Sequence, residues 1–293
     1  MSGVRPLRKP EWIRVKIPAG DTWQHVTAIL ERRSLHTVCD EARCPNKGAC
    51  WGSGTATFMI LGDICTRNCR FCAVATGRSG QPVRNEEAEQ LAVAIEELGL
   101  NYAVLTSVDR DDLPDRGAHH FARCIQSIKR RNPTVRVEVL IPDFIEGELE
   151  PLVEAGPDVV AHNIETVRSL QHIRDRRASY EKSLHSLYLA KQLGVLVTKS
   201  SLLLGLGEQF DEVLSAMDDL RSVGVDVLVL GQYLQPGPQQ LPVIAYIHPD
   251  QFKEYARIGK EKGFNTVVAS PFARTSYHAQ EAWKGSQTEE KEL

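Results

Sequence analysis

Residues 55–72, TATFMILGDICTRNCRFC, decide the architecture. The run TATFMILG is near-continuously apolar rather than alternating, which predicts a strand buried on both faces. Gly62 ends the run, and Cys65, Cys69 and Cys72 follow directly in the spacing C-x3-C-x2-C. Three soft ligands therefore sit on the loop leaving the C-terminal end of a strand, the end at which parallel α/β sheets collect their ligands.

Runs of the same kind recur at YAVLTSV, VRVEVLIP, VVAHNIE, VLVTKSSLLLG, VDVLVLGQY and NTVVASP. Between them lie helical patterns such as NEEAEQLAVAIEELG, EQFDEVLSAMDDLRSVG and PDQFKEYARIGKEKG, acidic in the first turn and closing on glycine. This alternation predicts right-handed βαβ units and a parallel sheet. Six or seven units in roughly 220 residues fall short of an eight-fold barrel. The expected fold is α/β, a partial, open (β/α)6-type TIM barrel, with a doubly wound open sheet as the alternative. Residues 55–270 form the barrel in this reading. Residues 1–54 and 271–293 are extensions with room to close over its mouth, around which GDICTRNCRFC, TSVDRDD, HNIET, SLLLGLGE and LGQYLQP gather.

The chain has 293 residues, 42% hydrophobic and 25% charged, with a formal net charge of −3. Its Lys and Arg are scattered, which gives no footprint for nucleic acid. No apolar stretch approaches the roughly 18 residues of a membrane span. The start, MSGVRPLRKPEWIRVKIPAG, is basic but broken by prolines and lacks the apolar core of a secretory signal, so a cytoplasmic protein is expected. Both this arm and the acidic tail TEEKEL read as solvated termini.

Seven cysteines make an odd number with no export signal, which favours a metal or redox site over a disulfide framework. Cys124, in HHFARCIQSIKR, reads as a buried thiol on a helix. Structural zinc takes four ligands, and no fourth Cys or His completes the loop of Cys65, Cys69 and Cys72, whereas a cubic iron–sulfur cluster can be held by three thiolates with one iron left open. Cys39, Cys44 and Cys50, spaced C-x4-C-x5-C in CDEARCPNKGACW, likewise favour an iron–sulfur cluster over zinc. The nine histidines make no HExxH pair, and His162 reads as a hydrogen-bonded structural residue.

C-x3-C-x2-C on the loop after the first strand of a partial barrel, with Phe71 before the last cysteine, resembles the radical S-adenosylmethionine (SAM) superfamily. The two trios in this order, with TSVDRDDLPD, HNIETV, VGVDVLVLGQYLQP and RTSYHA, resemble the lipoyl synthase family within it, over nearly the whole chain. The resemblance implies two 4Fe-4S clusters and SAM as cofactors. It implies an enzyme that inserts two sulfur atoms at carbons 6 and 8 of an octanoyl chain carried on a lysine of a carrier domain. Cys65, Cys69 and Cys72 would hold the cluster that cleaves SAM to a 5′-deoxyadenosyl radical. Cys39, Cys44 and Cys50 would hold an auxiliary cluster spent as sulfur, with Ser276 of Arg-x-Ser-Tyr as its fourth ligand.

Further roles carry over by position. Thr106, Ser107 and Asp109 stand where the superfamily binds the methionine amino group, and Asn163 and Glu165 where ribose or substrate is expected. KSSLLLGLGE, opening on Lys199, resembles a stretch that contacts the adenosyl group, and an ordinary turn is its alternative. Gln232, Tyr233 and Leu234 fall beside the adenine or the fatty chain, or simply cap buried strand ends. Arg274 would reach the cleaved SAM, the substrate or the cluster edge. Where the family often has Gly, this chain has Arg116, which puts a local turn in question. Implied partners are an octanoylated glycine-cleavage H protein or dehydrogenase E2 domain, an electron donor such as ferredoxin or flavodoxin, and iron–sulfur assembly proteins. A two-cluster electron carrier needs eight thiolates, which six usable cysteines cannot supply. A zinc-stabilised module and another sulfur-inserting radical enzyme are the remaining alternatives.

Overall fold

The computed structural model describes residues 7–15 and 20–287, so the first six residues and the tail TEEKEL lie outside the described residues. The strands are β1 (His36–Thr37), β2 (Thr57–Ile60), β3 (Ile64–Cys65), β4 (Ala75–Thr76), β5 (Tyr102–Ser107), β6 (Arg136–Leu140), β7 (Val159–Ala161), β8 (Val197–Leu204), β9 (Val227–Gln232) and β10 (Thr266–Ser270). One sheet runs in the order β1-β2-β5-β6-β7-β8-β9-β10, with β3 and β4 as a separate short parallel ladder. Apart from β1, antiparallel to β2, every neighbour in the large sheet is parallel. Strand order never reverses, which excludes the doubly wound sheet, and β1 and β10 stand at opposite ends, which leaves the barrel open.

Helices α1 (Asp21–Arg33), α2 (Val38–Glu41) and α3 (Lys47–Gly52) precede β2. Then α4 (Glu87–Glu97), α5 (Ala118–Arg131), α6 (Leu149–Glu154), α7 (Tyr180–Gln192), α8 (Phe210–Ser222) and α9 (Pro249–Glu261) alternate with the parallel strands, and α10 (Ala279–Ser286) ends the fold. None of these is long and apolar enough to cross a membrane. The caps follow the sequence: Gln209 and Glu212 form a reciprocal capping box on α8, and Gly263 follows α9 at φ 89°. On α5 the apolar face Phe121, Cys124, Ile125 and Ile128 is wholly buried, so Cys124 is a core thiol as its helical position predicts. Arg116 adopts φ 50°, the left-handed conformation that explains why glycine suits that turn; its Nη1 donates to the Asp143 carbonyl at 2.6 Å.

Within the C-terminal extension, residues 271–287 descend through the barrel. Leaving β10, the chain passes Gly231 at the end of β9, then Ser201 within β8, and α10 settles among the N-terminal ends of the strands. Ala282 and Trp283 pack on Val159, Val197 and Val227, and Trp283 meets Tyr102 with ring centroids 6.2 Å apart. An open barrel leaves inward apolar positions uncovered, and burying them against α10 is the driving force for this path.

Gly231 permits that close approach, because a Cβ there would collide with the Ala273 carbonyl and lie 2.8 Å from Arg274 Nη1. Gly231→Ala is expected to destabilise the protein by about 2 kcal/mol, as overpacking does. Limited proteolysis should then cut within 271–287 while the barrel stays intact; an unchanged digestion pattern would refute this account of the lumen.

Candidate active site

The cysteine loop begins with two left-handed residues, Leu61 at φ 69° and Gly62 at φ 87°. A leucine in that conformation is strained and must be held. Its N–H donates to Glu87 Oε2 at 3.0 Å and its carbonyl accepts from Arg110 Nη1 at 3.1 Å; Glu87 is itself buried, 2.6 Å from His120 Nε2. Beyond this turn, Cys65 pairs with Thr76 in the β3–β4 ladder and closes the loop's base.

Inside the loop Arg67 is 5% exposed and is caged by carboxylates. Its Nε and Nη2 donate to Asp111 at 3.0 Å each, and its Nη1 contacts Asp143 and lies 3.3 Å from Asp109. Asp143 also lies 2.9 Å from His162 Nε2 and accepts from Ser183 Oγ at 3.1 Å, which makes His162 the hydrogen-bonded residue its position predicts. Burial alone would raise the Asp143 carboxyl, yet the His162 hydrogen bond and the charges of Arg67 and Arg174 hold it far below the usual carboxylate range.

The three sulfurs are shielded. Burial pushes the Cys65 and Cys69 thiols up to about 12 and Cys72 to about 11, with Asp109 adding repulsion at Cys65, 3.9 Å from its sulfur. Backbone N–H groups offset part of this: Arg67 N–H donates to Cys65 Sγ at 3.4 Å and Asp175 N–H to Cys69 Sγ at 3.3 Å. Such a set holds thiolates only against a cationic guest.

The trio walls a cavity of about 240 Å³ together with Thr106, Ser107, Asp109, Asn163 and Glu165. It shares Phe71, Cys72, Leu140, Asn163 and Glu165 with a second cavity of about 200 Å³, walled also by Cys44, Tyr233, Leu234, Arg274 and Ser276. The two form one chamber. Ser107 Oγ, buried in its wall, has no partner among the described residues and is free for a guest. Burial raises the Glu165 and Asp109 carboxyls and lowers the Arg274 guanidinium, an effect that Cys44 and Glu165 partly offset.

The first trio is assembled from both ends of the chain. Thr37 caps α2, accepting from Asp40 N–H at 3.3 Å, and so sets Cys39 in its first turn. Asn46 Nδ2 donates to the Phe272 carbonyl at 2.7 Å, which binds the Cys44 loop to the C-terminal segment. Thr275 Oγ1 lies 2.9 Å from Asn163 Oδ1 and 3.0 Å from Ser201 Oγ, which fixes its neighbour Ser276. Ser276 shares one cavity wall with Cys44 and another with Cys50. Burial pushes Cys39 up to about 11 and Cys50 to about 12, and raises Cys44.

All seven thiols are free. Among the described residues the one set of three ligating groups within 4.8 Å of one another is His36, Glu41 and Asp63, so neither trio's sulfurs are that close. Thiolates at about 2.3 Å from one zinc would stand roughly 3.8 Å apart. The wider spacing suits a multi-iron cluster, as does the soft, buried donor set.

Two predicted site residues do not reach the chamber. Lys199, third in β8, donates to Glu138 at 2.9 Å, and Tyr102 OH donates to the same carboxylate at 2.6 Å, all three buried near the barrel's lower end. Gln232 spends its amide on the Leu204, Tyr233 and Ala245 carbonyls and its oxygen on Ile247 N–H, a strand-end cap. Sequence reading passed over Arg67, Asp143, Asn46 and Thr275. Only Arg67 carried a signal, as a cation between two candidate ligands.

The profile of the radical SAM superfamily matches residues 59–228, and that of the N-terminal domain of lipoyl synthase of the radical SAM family matches residues 2–44. The chain is 53% identical over 276 residues to lipoyl synthase of Thermus thermophilus, covering 92% of this chain and 85% of that one. With lipoyl synthase of Pyrobaculum calidifontis it shares 52% identity over 286 residues, 94% of this chain and 97% of that one. For that of Marinobacter nauticus the figures are 50% over 276 residues, 93% and 79%. Among solved structures, methylornithine synthase aligns with TM-score 0.58 at 16% identity, over 70% of this chain and 61% of that chain. The FeFe-hydrogenase maturase HydG from Carboxydothermus hydrogenoformans aligns with TM-score 0.59 at 18% identity, over 78% and 55%. The chain thus spans less than two thirds of either structure, and the likeness at these identities is one of fold.

Two outcomes test the site's scaffold. Lys199→Met should cost about 3 kcal/mol in urea unfolding by stranding Glu138, while SAM affinity stays unchanged. A lost SAM affinity in a folded variant would return Lys199 to the chamber. Asp143→Asn should cost a similar amount, about 3 kcal/mol. Because the Asp143 carboxyl titrates below its unfolded range, its contribution is complete above about pH 4 and is lost only as pH falls through the depressed folded value. The stability gap between the two proteins should therefore still be fully present at pH 5; a gap that closes between pH 8 and 5 contradicts the depressed carboxyl.

Proposed function

The chain belongs to the lipoyl synthase family of the radical SAM superfamily, and on that premise we propose which of its residues carry the reaction. It uses SAM and a 4Fe-4S cluster to insert two sulfur atoms, at carbons 6 and 8, into an octanoyl chain held on a lysine of a lipoyl carrier protein. Cys65, Cys69 and Cys72 hold the cluster that binds SAM. Cys39, Cys44, Cys50 and Ser276 hold a second 4Fe-4S cluster that donates sulfur. The observation that carries this assignment is the single chamber, walled at one end by the C-x3-C-x2-C trio and at the other by Cys44 and Ser276.

Carbons 6 and 8 have no acidic proton and no leaving group, so acid–base and nucleophilic schemes cannot reach them. When bound, the clusters and SAM supply the electron, the carbon radical and the sulfur that this chemistry needs. The protein binds, orients and shields. Three thiolates for four irons leave one position for the amino and carboxylate groups of SAM. Ser107, with its unpartnered hydroxyl, and Thr106 and Asp109 beside it suit the methionine end. Asn163 and Glu165 face both halves of the chamber and suit ribose or substrate. Tyr233, Leu234 and Phe71, with Leu140 and Leu202, give an apolar wall for adenine or the fatty chain and keep water from a reactive carbon. Arg274, inside this wall, supplies a cation at the substrate or at the edge of the second cluster.

The carriers in this reading are the glycine-cleavage H protein or a dehydrogenase E2 domain, the electron comes from a ferredoxin or flavodoxin, and assembly proteins rebuild the second cluster, all in the cytoplasm. Of the extensions 1–54 and 271–293, the stretches 39–50 and 272–276 together build the second site against the barrel of residues 55–270 in this reading.

Anaerobic protein incubated with an octanoyl-lysyl peptide, SAM and reductant should yield 5′-deoxyadenosine and a peptide heavier by two sulfurs. Ser276→Ala should alter the Mössbauer spectrum of the second cluster and lower sulfur insertion at least tenfold while 5′-deoxyadenosine formation continues. An unchanged spectrum and insertion rate would remove Ser276 from the ligand set; iron for one cluster only would remove the second cluster.

A further inference from the structure

Behind the chamber lies another space. A cavity of about 660 Å³ is walled by Cys50 and Ser276 together with Thr57 at the start of β2, Asn101 just before β5 and Tyr102 at its start. Ser107, at the other end of β5, walls the chamber beside the C-x3-C-x2-C trio. At about 3.3 Å per residue, Tyr102 and Ser107 stand roughly 17 Å apart, so the two spaces open toward opposite ends of the barrel. Thr57 and Ser276 belong to the walls of both, while Cys44 faces the chamber and Cys50 the cavity. The ligands assigned to the second cluster therefore stand in the partition between them.

Cys50 is pinned in that partition. Its carbonyl accepts from the N–H groups of Ser53 at 3.1 Å and Thr55 at 2.9 Å, and from their hydroxyls at 2.8 and 3.1 Å. The two spaces differ in character. Leu140, Leu202, Val229 and Tyr233 line the chamber, which in the reading above holds SAM and the fatty chain. The rim of the cavity is polar and exposed, with Ser53, Thr55, Asn101, His278 and Glu281 around it. Iron and sulfide travel as hydrated ions, and carrying bare charge through an apolar chamber is costly. A wet cavity keeps such ions solvated until they reach Cys50.

We propose that this cavity is the port through which the second cluster is rebuilt, with iron and sulfide reaching Cys39, Cys44, Cys50 and Ser276 from the N-terminal strand ends while SAM and the fatty chain keep the chamber. The inference rests on the reading of those four residues as cluster ligands. It sets the donor of iron and sulfide at the opposite end of the barrel from the mouth.

The test uses the full-length chain with Cys65, Cys69 and Cys72 replaced by alanine, freed of iron. It is then given ferrous and ferric iron in equal amounts with sulfide, a mixture that makes a 4Fe-4S cube without net electron transfer. Asn101→Trp fills the cavity from its rim and keeps the backbone bond in which the residue 101 carbonyl accepts from Arg136 N–H at 3.0 Å. Leu234→Trp narrows the chamber instead. The expected result is an at least tenfold slower rise of the cluster's visible absorption in Asn101→Trp and an unchanged rise in Leu234→Trp, with the same final iron content in both. Equal rates in all three proteins, or slowing by Leu234→Trp as great as by Asn101→Trp, overturns the inference. Where Asn101→Trp fails to fold, the unsubstituted protein with both clusters loaded decides. Saturating SAM fills the chamber and caps the cluster of Cys65, Cys69 and Cys72, so a chelator should then strip the iron of the other cluster at the rate seen without SAM; protection of all the iron by SAM overturns the inference. Failure of the underlying reading looks different, because the chain with the three alanines would then take up no iron at all.

Discussion

The buried guanidinium of Arg67 is the contact on which the rest of the site depends. It lies within the C-x3-C-x2-C loop, yet every carboxylate around it belongs to another element: Asp109 and Asp111 follow β5, and Asp143 follows β6. Through Asp143 the network reaches His162 after β7 and Ser183 on α7, and Arg174 adds a second buried cation, its Nη1 donating to Ser183 Oγ at 3.0 Å. One loop side chain thus registers three strand ends and a helix against the cysteines. Burying this many charges is a poor route to stability, because desolvation consumes most of the Coulombic gain. What it supplies is geometry: a loop of short, flexible connections cannot hold three sulfurs in place unless something fixes it from within.

The trio of Cys39, Cys44 and Cys50 follows a different logic. Its cysteines lie within residues 39–50, but the segment that completes their surroundings comes from residues 271–277, threaded into the lumen. Closing so long a loop has an entropic cost that grows only slowly with length, and the apolar contacts of Ala282 and Trp283 below and the Thr275 hydrogen bonds above offset it. The site therefore exists only in the folded barrel. A serine, a harder donor than thiolate, completes in this reading the ligand set that the chain assembles last in space.

The sequence disclosed the parallel strands well, since each is a short β-rich run bounded by turn residues. It did not disclose β1, β3 or β4, two-residue strands whose pairing is decided by neighbours rather than propensity. Strand ends were legible as candidate site residues, with two instructive misses. Lys199 opens a stretch of ten residues, and at about 3.3 Å per residue its first and last members stand at opposite ends of the barrel. Gln232 lies between Gly231 and Tyr233, both of which wall the chamber, and the two-residue period turns it to the other face. The path of the C-terminal extension was illegible, because nothing in the pattern of residues 271–287 distinguishes a lid over the mouth from a plug inside it.

The electrostatics of the chamber tie these parts together. Burial raises all six thiols of the two trios, raises Asp109 and Glu165, and lowers Arg274, so it shifts each of these groups toward its neutral form. A chamber of that kind rejects bare charge and accepts it only in compensated pairs: iron with thiolate, a sulfonium with carboxylate. The low-dielectric walls that make the thiols poor acids also strengthen every such pair once it forms. Shielding and binding are therefore one property. A site dry enough to let a carbon radical survive must already be one in which cationic iron and a cationic co-substrate are held tightly.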